Sequence, residues 1–218
     1  MPADQVGRVV LDAWQAALVA SGLPLAGLDP GSGGRARIAF AAPLPAAARA
    51  EAELADLWLV ERRPVWALRE ALASRLPAAH RWVSAEDVWL GAPALAGQLV
   101  AADWRIELAG AGLDRERIAE AARGLIAART LPRVRMKGNT EKRYDLRPLV
   151  ADVAVEAGGS GGTPTLLLRT RFSPELGAGR PEDIVSVLAE SCGVAIGIGA
   201  TVRTRLLLAD ELAGPSGR

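Results

Sequence analysis

AADWRIELAGAGLDRERIAEAARGLIAA, residues 101–128, decides the fold. Its first eight residues alternate: Trp104, Ile106 and Leu108 against Asp103, Arg105 and Glu107, the period of a half-buried strand. From Leu113 the period lengthens to that of an amphipathic helix, and Asp114 stands where a carboxylate can cap the first free N–H groups. Downstream, LVADVAVE (149–156) alternates Leu149, Ala151, Val153 and Val155 inward. TLLLRTRF (165–172) sets Leu166, Leu168, Thr170 and Phe172 against Arg169 and Arg171. Gly179-Arg180-Pro181-Glu182-Asp183 opens a second helix, with Pro in its first turn and acids at the positive end of the dipole. TVRTRLLL (201–208) closes the series, with Arg203 and Arg205 expected on one face.

With an intervening hairpin set aside, this order is strand, helix, strand, strand, helix, strand, which is the ferredoxin-like βαββαβ order. The first half repeats it without its first strand. DQVGRVVLDAWQAALVASG puts Val6, Val9, Val10, Ala13, Trp14, Ala17 and Leu18 on one helical stripe, and Gly22 stops it. RARIAFA (35–41) and ELADLWLVE (53–61) read as strands, VWALREALASRL as a helix after Pro64, and RWVSAEDVWL (81–90) as a return strand. GAPALAGQ (91–98) reads as a linker, GGSGGTP (158–164) as a flexible connection, and the last ten residues as frayed. The expectation is an α+β chain of tandem ferredoxin-like units. Residues 1–97 would form one lacking its first strand, and residues 98–218 one with an extra basic hairpin at 133–147.

The composition excludes several classes. Of 218 residues, 50% are apolar and 23% charged, which is globular. A single cysteine, Cys192, and a single histidine, His80, rule out an intrachain disulfide, a cysteine zinc site or an iron–sulfur cluster. No cofactor is expected. The start, MPADQVGRVV, has an early acid and no apolar segment, and no run approaches the ~20 apolar residues of a membrane helix. A cytoplasmic protein with no membrane partner is the expectation.

Net charge is only +1, but it is unevenly placed. Residues 129–147 hold seven basic side chains against two acidic ones, and they contain both lysines, the one asparagine and the one tyrosine of the chain. VRMKGNTEKRYDL reads as a hairpin turning at Gly138-Asn139. Arg133, Arg135 and Lys137 alternate and so share a face, with Lys142, Arg143 and Arg147 returning nearby. Such a finger suits phosphate, with Tyr144 available to stack on a base. The bland alternative is a solvated hairpin whose charges pair with neighbouring acids. Arg169, Arg171, Arg203 and Arg205 would extend the patch over the helix-free sheet face. Because these positions are Arg and not aromatic, contact would be to the nucleic-acid backbone.

Other candidates carry less. His80 has no local catalytic partner and reads as an ordinary surface histidine; Cys192 reads as a small buried apolar residue. GVAIGIGA (193–200) lacks the strand-then-helix setting of a dinucleotide site, and GSGG (31–34) lacks the Lys-Ser/Thr of a P-loop. Asp103, Glu107, Asp152 and Glu156 lie on outward strand positions, where pairing with arginines is expected.

The chain also resembles a family. Leu23-Pro24-Leu25, Arg37-Ile38-Ala39-Phe40 leading to Pro43-Leu44-Pro45, and Glu51-Ala52-Glu53 are similar to the N-terminal part of the bacterial radical SAM-linked proteins. Lys137-Gly138, Tyr144-Asp145-Leu146-Arg147-Pro148, Arg180-Pro181-Glu182-Asp183 and Arg203-Thr204 are similar to their C-terminal part. The resemblance implies a cobalamin-binding radical SAM protein as partner and a setting of RNA or ribosomes; it implies no reaction. Family members begin with a basic strand and a Ser-His-Leu-Asp stretch, of which only Asp4 is matched here. They also carry a Gly-Phe-Asn-Pro-like loop where this chain has LDPGSGG (28–34).

These readings give an expected function: a non-catalytic accessory protein of a radical SAM enzyme, contacting RNA or ribonucleoprotein through Arg133, Arg135, Lys137, Lys142, Arg143, Tyr144, Arg147 and the four sheet arginines. The alternative is a protein-interaction module docking an acidic surface of that enzyme. A small nuclease or transferase is a third class, for which one histidine and no visible triad or metal cluster are poor equipment.

Overall fold

The computed structural model describes residues 3–28, 31, 33–138, 140–158 and 163–212, with side chains given from Arg8 onward except at Lys137 and Leu212. Asn139 of the expected turn, most of the 158–164 connection, part of the 28–34 loop and residues 213–218 lie outside the described residues. In chain order the elements are α1 (Ala3–Ala20), β1 (Ile38–Phe40), β2 (Ala48–Ala50), β3 (Ala55–Leu57), α2 (Val65–Leu72) and α3 (Leu95–Gln98). They continue with β4 (Leu99–Ala109), α4 (Arg115–Ala127), β5 (Pro132–Lys137), β6 (Thr140–Asp145), a 3-10 turn at Arg147–Leu149, and β7 (Val150–Glu156). The last are β8 (Thr165–Ser173), β9 (Gly177–Ala178), α5 (Pro181–Cys192), β10 (Gly197–Leu208) and α6 (Ala209–Leu212). The described residues are thus mixed α+β, and none of their helices is long and apolar enough to cross a membrane.

The chain divides into two compact units: residues 1–46 with 53–98, and residues 47–52 with 99–218. In the second unit the strands run β2-β10-β4-β8-β7, with β9 added to β8. β10, β4, β8 and β7 are mutually antiparallel neighbours, and β2 joins β10 in parallel. The alternation seen in the sequence sets the faces. Trp104, Ile106 and Leu108 of β4 lie buried with Leu166, Leu168 and Thr170 of β8. Ile118, Ala122 and Leu125 of α4 and Ile184, Val185 and Leu188 of α5 complete that core. Each large apolar side chain so buried is worth about 1.5–3 kcal/mol. The Trp104 indole N–H donates to Thr170 Oγ1 at 3.0 Å, so both polar groups are satisfied inside the core. Asp114 caps α4 as its sequence position requires, accepting from the Glu116 N–H at 2.8 Å. α5 stops at Gly193, whose φ of +62° suits a residue without a Cβ.

In the first unit α1 buries Leu18 against Leu25, Ala36 and Leu72, with Trp14, Leu57, Leu76 and Trp82 around them. β1 and β3 form a two-stranded antiparallel ribbon, Ile38 opposite Leu57 and Phe40 opposite Ala55. Three expectations need correction here. The strand over 53–61 contracts to three residues. Residues 81–89 form no strand at all: they run without turn, bend or ladder partner, and alternation alone makes no strand where no neighbour lies alongside. The linker at 91–98 ends in the short helix α3. At the other end of the chain, residues 209–212 are not frayed but form α6, where Glu211 accepts from the Leu208 N–H at 2.8 Å.

Candidate functional site

The basic stretch does fold as a hairpin. β5 and β6 pair so that Arg133 faces Tyr144, Val134 faces Arg143, Arg135 faces Lys142 and Met136 faces Glu141. Gly138 takes the turn with φ +61°, a left-handed conformation that glycine adopts without a steric cost. Residues directly opposite share a face. One face therefore carries Arg133, Arg135, Lys142 and Tyr144, and the other Val134, Met136, Glu141 and Arg143.

The first of these faces is tied to α5. Arg133 Nη2 donates to Glu190 Oε2 at 2.9 Å. The Tyr144 hydroxyl donates to the Asp183 carboxylate. The Arg135 guanidinium lies over the Tyr144 ring, 4.0 Å from its centroid. Burial, then the hydrogen bond and charge of Asp183, push the Tyr144 pKa up, and the Arg135 cation pulls against them. Asp183 sits in the first turn of α5, where the helix dipole favours a carboxylate. The other face leaves Val134 and Met136 55% and 63% exposed beside Glu141 and Arg143, so the hairpin shows two apolar side chains outward while Arg133 and Arg135 turn in, half-buried.

The expected site residues separate accordingly. Lys142 and Arg143 are exposed, Arg143 with Nε 3.3 Å from Glu141. Lys137 lies in β5, its side chain outside the described residues. Arg147 is structural: its guanidinium donates to the carbonyls of Ile126, Ala128 and Val150 at 2.8–3.2 Å, closing the C-terminus of α4. Arg169 forms a two-pronged pair with Asp103 at 2.6 and 2.9 Å, and that bond raises its already high pKa. Arg205 pairs with Glu211 at 2.5 Å. Arg171 is exposed and reaches the carbonyls of Pro148 and Val150 at 3.4 Å.

Arg203 and Arg205 do not share a face. Arg203 pairs in register with Trp104 and Arg205 with Asp103, so Thr204 is an extra residue, a bulge that reverses the alternation. Arg203 is consequently buried over the Trp104 ring, and Arg205 stays on the helix-free face. There Arg105 is also occupied, by Glu51 at 2.6 Å. The helix-free face is a mosaic of ion pairs rather than a continuous basic patch.

Residues 21–179 match the family model of an uncharacterized protein conserved in bacteria, DUF2344. The chain belongs to that family. No curated protein matches it. The DUF2344 match takes in the whole hairpin and stops just before α5, so Asp183 and Glu190 lie beyond it.

Four residues of the DUF2344 chain's hairpin site were missed in the sequence. Val134 and Met136 were legible as the alternates of Arg133 and Arg135; Asp183 and Glu190 carry no local signal linking them to residues about fifty positions away. Of the remaining candidates, His80 is exposed with Nδ1 3.1 Å from the Ala78 carbonyl, and Ala79 before it has φ +66°. Cys192 is buried. Among the described residues no group of three His, Cys, Asp or Glu stands close enough to hold a metal.

Proposed function

We infer that the protein is a binding module whose hairpin, Pro132–Asp145, is its contact element, and that its partner is a protein. The observation that carries this is the outward placing of Val134 and Met136 on the hairpin face that also holds the exposed Glu141–Arg143 pair, with Lys142 exposed on the opposite face. An apolar pair flanked by an exposed ion pair suits a protein surface that is apolar at its centre and polar at its rim. Arg133 and Arg147, which a phosphate-binding finger would use, are instead engaged by Glu190 and by backbone carbonyls. The resemblance to radical SAM-linked proteins supports a cobalamin-binding radical SAM protein as that partner. The scaffold is read as a ferredoxin-like unit over residues 99–208: the antiparallel order β10-β4-β8-β7 with α4 and α5 on one face supports it. Residues 1–97 lend less support to a tandem copy, because 81–90 contributes no strand.

A second reading keeps RNA or ribonucleoprotein as the ligand, and exposed Arg129, Lys142 and Arg143 favour it. One experiment separates the two. The immobilised radical SAM protein and total RNA are each titrated at low and moderate salt with three proteins: the native chain, Val134→Glu/Met136→Glu, and Lys142→Glu/Arg143→Glu. Capture by the enzyme that the first variant abolishes, without RNA binding, supports the protein-docking reading. Salt-dependent RNA binding lost only in the second variant overturns it in favour of RNA, because phosphate contact releases counterions.

A further inference from the structure

Residues 81–88, RWVSAEDV, are a largely exposed run whose backbone has no ladder partner among the described residues. The nearest backbone hydrogen bonds are from the His80 N–H to Pro77 and from the Ala92 N–H to Trp89, and among the described residues 81–88 make none between backbone groups. The run is held at two points: Trp82 packs on the core cluster of the first unit, and Arg62 holds Asp87 at 2.6 Å. The rest of the run is open, with Val83 and Val88 each more than 60% exposed. Free N–H and C=O groups in an exposed run with strand-like sequence alternation are a template for strand addition.

The charges say which strand. Arg81 stands at one end and Glu86 and Asp87 at the other, and neither Arg81 nor Glu86 has an ion-pair partner among the described residues. Arg62 occupies Oδ2 of Asp87 through both Nε and Nη2, leaving Oδ1 without a partner. A parallel copy would set like charges side by side; an antiparallel copy sets each basic end against an acidic one. A two-fold axis through an antiparallel pair keeps each face of the sheet to itself, so only residues of equal parity can face each other. With Ser84 on the axis, Arg81 of each copy comes opposite Asp87 of the other.

We propose that residues 81–87 pair antiparallel with the same residues of a second copy of this chain, centred on Ser84, making the protein a two-fold dimer through its first unit. The two Arg81–Asp87 contacts fix the register, since opposite charges facing each other across strands are favourable and like charges are not.

The test is the molar mass of the full chain by light scattering and sedimentation across a dilution series, with three variants. The native chain is expected to show a concentration-dependent dimer. Val83→Pro removes an N–H that is unpaired within one copy, so the circular dichroism and thermal midpoint should stay native while the dimer is lost. Arg81→Glu should weaken the dimer by roughly tenfold or more, and Arg81→Glu/Asp87→Arg should restore it, whatever Val83→Pro does to folding. A chain that is monomeric at every concentration overturns the proposal and leaves the edge to a strand of another protein. A dimer indifferent to Arg81→Glu overturns it as well.

Discussion

β4 and the run at 81–89 both carry tryptophans within alternating residues, and they stand at opposite extremes of burial. β4 is eleven residues long, lies between β10 and β8, and buries Trp104 to 5% exposure with its indole N–H satisfied. The 81–89 run has no ladder partner among the described residues and leads through Trp89 into Leu90, which are 80% and 93% exposed. The difference is not in residue type. A strand is defined by what lies beside it, and burial follows from pairing plus a covering helix; α4 and α5 supply that cover for β4.

The sharpest way to break this comparison is to truncate one side chain in each region. Ile106→Ala should destabilise the second unit by about 2–5 kcal/mol, whereas Leu90→Ala should change stability by less than about 0.5 kcal/mol. Equilibrium denaturation in urea reads both, and similar shifts would mean that the 81–90 run is packed after all.

Next in size is the tie between hairpin and α5. Tyr144→Phe removes the hydroxyl that donates to Asp183 and should cost roughly 1–2 kcal/mol. Because Tyr144 is the one tyrosine of the chain, tyrosinate absorbance reports it alone. Its folded pKa is raised, so the neutral phenol stabilises the fold fully below the ordinary value of about 10, and that contribution is lost as pH rises through the raised value. An alkaline titration of the native chain should therefore show a midpoint above that of free tyrosine. A midpoint at or below that value would separate Tyr144 from Asp183.

Asp114→Ala should cost about 1 kcal/mol by uncapping α4, measured as a fall in thermal midpoint. The smallest effect runs the other way. Ala79 holds φ +66° just ahead of the unpaired run. Glycine relieves about 1–2 kcal/mol there and gives back roughly 0.4–1 through the freer unfolded chain, so Ala79→Gly should be slightly stabilising. A loss of stability would place the strain elsewhere.

The second unit was readable because its elements have clean periods and explicit ends. Asp114 at the start of α4 and Pro181 with Glu182 and Asp183 at the start of α5 are local signals, and they fall where the helices begin. What could not be read depends on residues distant in the chain. The bulge at Thr204 separates Arg203 from Arg205 by a register shift against β4, which no pattern within β10 announces. Arg133 alternates with Val134 as it would in a solvated strand, and only the fold brings Glu190 to it. Positive charge was legible as composition, but its availability was not, because the carboxylates and carbonyls that engage Arg147, Arg169 and Arg205 come from other elements.

β2 places a constraint on the order of events during synthesis. Its three residues pair with Thr201–Arg203, so a segment made early must wait for one made about 150 residues later. At about 5–20 residues per second that interval is roughly 8–30 s. Once synthesis has passed residue 98 the chain on both sides of β2 can fold as the first unit, and residues 47–52 remain as a loop that β10 closes onto. Maturation of the sheet is therefore timed by translation of β10, and a chain that stalls before Thr201 would carry a finished first unit beside an open edge.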